Sequence, residues 1–286
     1  MINVLNVRPI AFDSLGVRSM ATFISTPDVN IFIDPSASLA PLRYGLPPHE
    51  VEWRKLHECV ENIKNFLADV DVVVITHYHY DHHDPGNLIP LQLFNSKFLI
   101  VKDPNNKINY SQKIRASKFL KGVRDAGANI YVGDGKEFKF GKTTVTVSQP
   151  QQHGNSDKLG YVLMISLKYG DTSVGFTSDV ESLLNDYSIN FLQNSELVIV
   201  DGPPTYLVGS AYSKDDIDNS VKSLAKLSMK VEKVVIDHHL IRDLNYGKLL
   251  DEVRKYSEVQ LMTAAEYIGV EPNLLEARRK DLYKSK

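Results

Sequence analysis

Apolar positions along this chain fall into two rhythms, and each predicts a different kind of element. Short runs that are apolar at nearly every position, Asp71-Val72-Val73-Val74-Ile75, Glu196-Leu197-Val198-Ile199-Val200-Asp201 and Lys233-Val234-Val235-Ile236-Asp237, have the composition of central strands covered on both faces. Asn30-Ile31-Phe32-Ile33-Asp34 is another, and it too ends in a carboxylate. A helical period shows instead at Val51, Leu56, Val60, Ile63 and Leu67, which predicts a covering helix over 48–68. Further helices are expected from Ser111 to about 126, where Gly127 ends the helix, and over 180–192 and 214–228.

Turn chemistry divides the remaining strands. Residues 2–12 and 21–34 read as short strands with a hairpin turn at Thr26-Pro27-Asp28-Val29-Asn30; Gly141-Lys142 joins 137–140 to 143–147, and Gly170-Asp171 joins 159–167 to 173–176. Strands are also expected at 97–101 and 130–132, and Asp84-Pro85-Gly86-Asn87 leads into a short helix. From 245 onward two or three helical segments accompany a strand at 259–262, and Arg278, Arg279, Lys280, Lys284 and Lys286 read as a solvated helix end.

With 286 residues and ordinary apolar content, the chain is expected to form one domain, residues 1–286, around a substantial core. Its single cysteine, Cys59, reads as a small buried hydrophobe; it excludes an intramolecular disulfide and any metal site built on several sulfurs. A net charge of −2 offers no overall electrostatic footprint for nucleic acid. No apolar stretch reaches the length of a membrane span and the N-terminal residues lack the order of a signal peptide, so a cytoplasmic protein is expected. A homo-oligomer is compatible with this composition.

The chemistry concentrates behind the first apolar run. Thr76-His77-Tyr78-His79-Tyr80-Asp81-His82-His83 holds four of the nine histidines and a carboxylate, a composition that no packed helix or strand requires. The C-terminal end of a buried strand is where open sheets place ligands, and neutral imidazole is the commonest metal ligand. His153, before Gly154, would alone read as a turn histidine, and Asp179 as the cap of the helix after it. Val-Val-Ile-Asp-His at 234–238 repeats the local grammar of Val-Val-Ile-Thr-His at 73–77, which singles out His238, with His239 as its alternate.

Thr76-His77-Tyr78-His79-Tyr80-Asp81-His82 resembles the His-x-His-x-Asp-His signature of the metallo-β-lactamase superfamily, and His153, Asp179 and His238 follow in the order of its later ligands. The resemblance implies an α/β fold, a four-layer αββα sandwich of two mixed β-sheets flanked by helices. It implies two divalent ions, one held by His77, His79 and His153 and the other by Asp81, His82 and His238 (or His239), with Asp179 bridging and Asp81 orienting the attacking water. Zinc is the first expectation, with manganese or iron as alternatives; flavin-linked diiron relatives carry Glu where this chain has His79. Ser19-Met20-Ala21-Thr22, Asp201-Gly202-Pro203-Pro204 and Asp237-His238-His239 are similar to an uncharacterised archaeal subfamily.

The function so implied is a metal-dependent hydrolase that uses a hydroxide formed between two ions on a phosphoester or other anionic ester. Asp81 and Asp179 carry the catalytic roles, and a small anionic substrate is favoured. The alternatives are a structural or sensing metal protein without turnover, and a nuclease acting on RNA or DNA. The absence of a basic excess and of a long insertion between Asp179 and His238 weighs against the nuclease. Asp34 reads equally as a support for the histidine loop or as a turn opener, and Arg18 as an anion-binding group or a surface charge.

Overall fold

The computed structural model describes residues 5–284. Residues 2–4 of the first predicted strand and Lys286 of the basic tail therefore lie outside the described residues. The first sheet contains β1 (Asn6–Phe12), β2 (Met20–Ser25), β3 (Asn30–Ile33), β4 (Val72–Ile75), β5 (Phe98–Val101) and β6 (Asn129–Val132), side by side in chain order. Its first three strands are antiparallel neighbours, and from β3 to β6 the pairing is parallel. The second half adds β7 (Glu137–Phe140), β8 (Thr143–Val147), a two-residue ribbon of β9 (Gln151–Gln152) and β10 (Tyr161–Val162), β11 (Ile165–Tyr169), β12 (Thr172–Phe176), β13 (Leu197–Asp201), β14 (Lys233–Asp237) and β15 (Gln260–Met262). The second sheet is ordered β15-β14-β13-β12-β11-β8-β7 and is parallel from β12 to β15.

The apolar runs have two buried faces because each central strand packs against both a helix layer and the opposite sheet. On β4, Val73 and Ile75 point toward α1 (Glu50–Ala68) and α2 (Tyr110–Asp125), where Leu56, Val60, Ile63, Phe119 and Val123 meet them. Val72 and Val74 point the other way, into a middle layer with Val145, Ile165, Phe176, Ile199 and Val235 of the second sheet. On the far side, Val198, Val200, Val234 and Ile236 pack against α3 (Asp186–Leu192), α4 (Lys214–Ser228) and α5 (Tyr246–Arg254). This is the expected four-layer αββα sandwich. Each fully buried Val, Leu, Ile or Phe contributes roughly 1.5–3 kcal/mol, so the layers hold without a disulfide. Cys59 lies buried on α1, where burial pushes its thiol up to about 11. Among the described residues no helix is long and apolar enough to cross a membrane.

Several elements differ from their sequence pattern. The helix expected over 180–192 begins only at Asp186, because Ser178, Glu181 and Ser182 take left-handed φ values of 54°, 52° and 58° that no α-helix admits, and Asn185 provides the cap. Asn109, rather than Ser111, caps α2 through its side chain to the Gln112 amide. The short helix after Asp84 is a single 3₁₀ turn at Leu91–Phe94. His49 closes a capping box with Glu52 at the start of α1.

The basic tail is solvated at Arg278, Lys280 and Lys284, as expected, but not at Arg279. Arg279, in the short α7 (Arg279–Leu282) that follows α6 (Ala264–Tyr267), is fully buried; its Nε and Nη2 each donate to Glu52 at 2.8 Å and its Nη1 to the Leu46 carbonyl at 3.0 Å. Three residues earlier Glu276 receives Arg18 at 2.6 and 2.7 Å. The C-terminal segment is thereby clamped to α1 and to the strand connections near the site.

Removing one member of a buried ion pair leaves the other charge uncompensated, which costs about 3–5 kcal/mol. Urea denaturation of Arg279→Met is expected to show a loss of that size, partly recovered in the Glu52→Gln/Arg279→Met double variant. An Arg279→Met protein as stable as wild type would contradict the clamp.

Candidate metal centre

The parallel strands of both sheets end at one edge, and the histidine loop leaves that edge from β4. Its shape is set by Asp34, at the end of β3. The Asp34 carboxylate accepts the Thr76 amide (2.7 Å) and hydroxyl (2.6 Å) and holds His82 Nδ1 at 2.8 Å. Asp34 thus supports the loop and is more than a turn opener. Within the loop the amides of His82 and His83 donate to the His79 carbonyl, a turn that brings His79, Asp81 and His82 onto one side. His83 faces away, with Nδ1 2.9 Å from the His79 carbonyl oxygen and its ring edge-on to Phe119 of α2.

His153 follows β9, Asp179 follows β12 and His238 follows β14, and all three meet this loop. Asp179 Oδ2 lies 3.4 Å from His77 Nε2 and 3.2 Å from His153 Nε2. Its other oxygen, Oδ1, lies 3.0 Å from His82 Nε2 and 3.5 Å from His238 Nε2. Asp81 Oδ2 completes this second side at 3.8 Å from His238 Nε2. The groups His77, His79, His153, Asp179 and Asp81, His82, His238 each present ligand atoms within 4.8 Å of one another.

These contacts have the spacing of ligands around a cation. Metal bonds of 2.0–2.1 Å in a tetrahedron separate ligand atoms by about 3.3 Å. The nitrogens and oxygens stand at that spacing without hydrogen-bond geometry: His77 Nε2, His82 Nε2, both His153 nitrogens and Asp179 Oδ1 are buried without a partner. Buried polar atoms are almost always paired, so a cluster of orphans aimed at common points fits a metal. Electrostatics agrees with the fit. Burial pushes His77 and His79 down, keeping them neutral, as ligands must be, and pushes His239 down as well. Burial opposes the charge on Asp179, yet His82, His238 and His77 hold its carboxyl well below the usual range. Burial likewise works against a charge on His82, but Asp179 and Asp34 outweigh it and raise its pKa.

The partners of the outer nitrogens fix how each ring points. His238 Nδ1 lies 2.7 Å from Asp13 Oδ2, and Asp13 also takes Nε of Arg242 at 2.8 Å. Nη2 of Arg242 stands 3.3 and 3.2 Å from the two ring nitrogens of His238, near-equal distances that place it over the face of the ring. His239 turns to the other side: its Nδ1 lies 3.0 Å from Asp201, which also accepts the amides of His239 and Glu181. Of the histidine pair, His238 faces Asp81 and His82, while His239 groups with Asp179 and His238 and lies 3.8 Å from Glu181. Glu181 is buried 3.7 Å from His153 Nδ1, and burial pushes its carboxyl up to about 7. Gly154 makes room for it, since a Cβ there would come within 2.5 Å of Glu181 Oε2. Asp13, Glu181 and Arg242 carry no local motif and were not singled out from the sequence.

The centre opens into a cleft of about 540 Å³ lined by Arg18, His79, Asp81, Arg115, His239 and Arg242, among others. Arg18 borders it but is neither a free anion-binding group nor a lone surface charge, being tied to Glu276. Tyr212 is buried, its hydroxyl accepting the Asn155 amide at 3.1 Å, so it braces the His153 loop.

No model of a known sequence family matches the chain. A UPF0282 protein of Sulfurisphaera tokodaii is 47% identical, the match covering 98% of this chain and 93% of that one. Among solved structures, the metallo-β-lactamase fold protein YhfI of Bacillus subtilis superposes with a TM-score of 0.59 at 14% identity, over 91% of this chain and 96% of that one. A diphosphatase of the PhnP family superposes with a TM-score of 0.52 at 14% identity, over 91% and 95%. The fold is that of the metallo-β-lactamases.

Carboxylates that orient metal-binding imidazoles change metal affinity 10–100-fold when lost. Asp34→Asn and Asp13→Asn are each expected to weaken zinc binding by about that factor in a competition titration against a chromophoric chelator. Unchanged affinity in both would show that neither carboxylate positions a ligand.

Proposed function

The chain belongs to the UPF0282 family, and from that premise and the ligand geometry we propose that it is a metal-dependent hydrolase with a dinuclear centre that cleaves a small phosphoester. The observation that carries the proposal is the division of Asp179, whose two oxygens face two separate ligand groups 3.0–3.5 Å away. His77, His79 and His153 would hold one ion and Asp81, His82 and His238 the other, with Asp179 placed to serve both. Nitrogen and oxygen donors without thiolate suit zinc first, then manganese or iron. Bound there, two such ions would supply a water of lowered pKa, from 15.7 toward roughly 7, and charge to polarise a phosphoryl oxygen.

The chain's own side chains do the rest. Asp81 faces the cleft; burial would raise its carboxyl, but His82, His238 and Arg242 keep it low and therefore ionised, so it orients the attacking water by accepting a hydrogen bond. Arg242, 3.7 Å from Asp81, adds fixed positive charge beside the reacting group. His239, at the cleft with its Nδ1 held by Asp201, presents the Nε2 of a neutral imidazole on the opposite side, where it is placed to accept a hydrogen bond from the substrate or the attacking water. A cleft of about 540 Å³ has the size of a small-molecule site, and the net charge of −2 argues against a polyanionic polymer. The PhnP-family neighbour is a diphosphatase, in keeping with phosphoryl chemistry on this fold.

Asp179→Ala is expected to lose at least one ion per chain and to lower kcat on an activated phosphodiester more than about 100-fold, while circular dichroism shows the fold intact. Full activity in that variant would contradict the bridging role. His238→Ala and His239→Ala are expected to part company: metal analysis should find one ion lost from the first and both kept in the second, with turnover reduced in each. Equal, full occupancy in both would remove His238 from the ligand set.

A further inference from the structure

Four arginines stand at or near the cleft, and three of them are already engaged. Arg18 is bound by Glu276 at 2.6 and 2.7 Å, and Arg242 by Asp13 at 2.8 Å. Arg43 lies between the rings of Tyr44 and Tyr206, its Cζ 4.7 and 4.2 Å from their centroids, with Glu276 3.9 Å from its Nε. Arg115 differs from all of these. It projects from the second turn of α2 into the cleft wall beside His79 and Leu159. Among the described residues it forms no ion pair, and its one hydrogen bond is a 3.5 Å contact from Nη1 to the Tyr78 carbonyl.

What holds Arg115 is a ring. Its Cζ sits over the ring of Tyr80, 4.5 Å from the centroid, and His83 packs 5.5 Å from the same ring, so the ring holds the guanidinium at the cleft wall while leaving its fork of donors free. A guanidinium has five N–H groups that match a carboxylate or phosphate two at a time. A half-buried one with a single long hydrogen bond and no counter-charge lacks a partner that a bound anion would supply. The cleft carboxylates do not fill that place: Asp81 is turned to His238 and Arg242, and Asp179 to the four imidazoles.

We propose that Arg115 binds a second anionic group of the substrate, a carboxylate or a phosphate carried away from the phosphoryl group that the metal centre holds. The substrate is then a two-headed organic phosphate rather than a simple monoester. This inference rests on the phosphoester reading above and narrows it to one substrate class.

The test uses the zinc-loaded, full-length protein and three ligands that share one phosphate and a three-carbon chain: propyl phosphate, 3-(phosphonooxy)propionate and propane-1,3-diyl bisphosphate. Calorimetry gives Kd for each with wild type, Arg115→Gln and Arg115→Lys, alongside the zinc content of each protein. Wild type is expected to bind at least one two-headed ligand about tenfold or more tightly than propyl phosphate, and which one does so tells carboxylate from phosphate. In Arg115→Gln that preference falls to near one with zinc still bound, and Arg115→Lys keeps part of it. No preference in wild type, or a preference that survives Arg115→Gln, overturns the role of Arg115 while propyl phosphate binding leaves the phosphoester reading standing. Failure of all three phosphates to bind zinc-loaded wild type overturns that reading and this inference together.

Discussion

A carboxylate shut away from water has to be met by positive charge, and Asp179 is met from four sides. It is buried to 1% exposure, with imidazoles of His77 and His153 at one oxygen and of His82 and His238 at the other. The desolvation penalty of such a group is several kcal/mol, so the arrangement persists only with cations or protons among the rings. Raised pKa values at His82 and His238, the latter to about 10 against the opposing effect of burial and Arg242, show protons able to fill the place that metal ions would take. Metal binding would displace those protons and give the orphaned nitrogens the partner they lack.

The fold meets this demand at the exits of its parallel strands. Asp34, Ser178, Glu181 and His238 all leave strand ends with φ between 48° and 62°, a left-handed geometry that costs non-glycine residues of order 1–3 kcal/mol each. Those turns swing the side chains inward over the sheet edge. They are held by buried carboxylates used as backbone acceptors: Asp201 takes the amides of Glu181 and His239, and Asp237 takes those of Ser14, His238 and Ala264. Strain and ligand placement are therefore one structural feature, and the polar residues that end each apolar run are its supports.

The layers of the sandwich were legible because a strand covered on both faces writes an unbroken apolar run, as at Val72–Ile75 and Lys233–Asp237, while covering helices write a period. The histidine loop was legible because its residues are contiguous. Other features depend on contacts between distant parts of the chain. Arg242 reaches Asp13 across 229 positions and Arg279 reaches Glu52 across 227, and nothing in the local sequence of either marks the pairing. The helix placed over 180–192 failed for a local reason: the residues before Asn185 have helical spacing, but the backbone at Ser178, Glu181 and Ser182 is committed to the site. Glu181 stayed invisible for the same reason, since the left-handed turn that aims it at the site leaves no mark in the local spacing.

The central claim is that one carboxylate joins two cations, and X-ray absorption at the metal edge of the purified protein, with metal stoichiometry on the same sample, tests it most directly. The account predicts two ions per chain in nitrogen and oxygen coordination with a metal–metal distance of about 3.5–4 Å. A single ion with four protein ligands and no metal neighbour would contradict it.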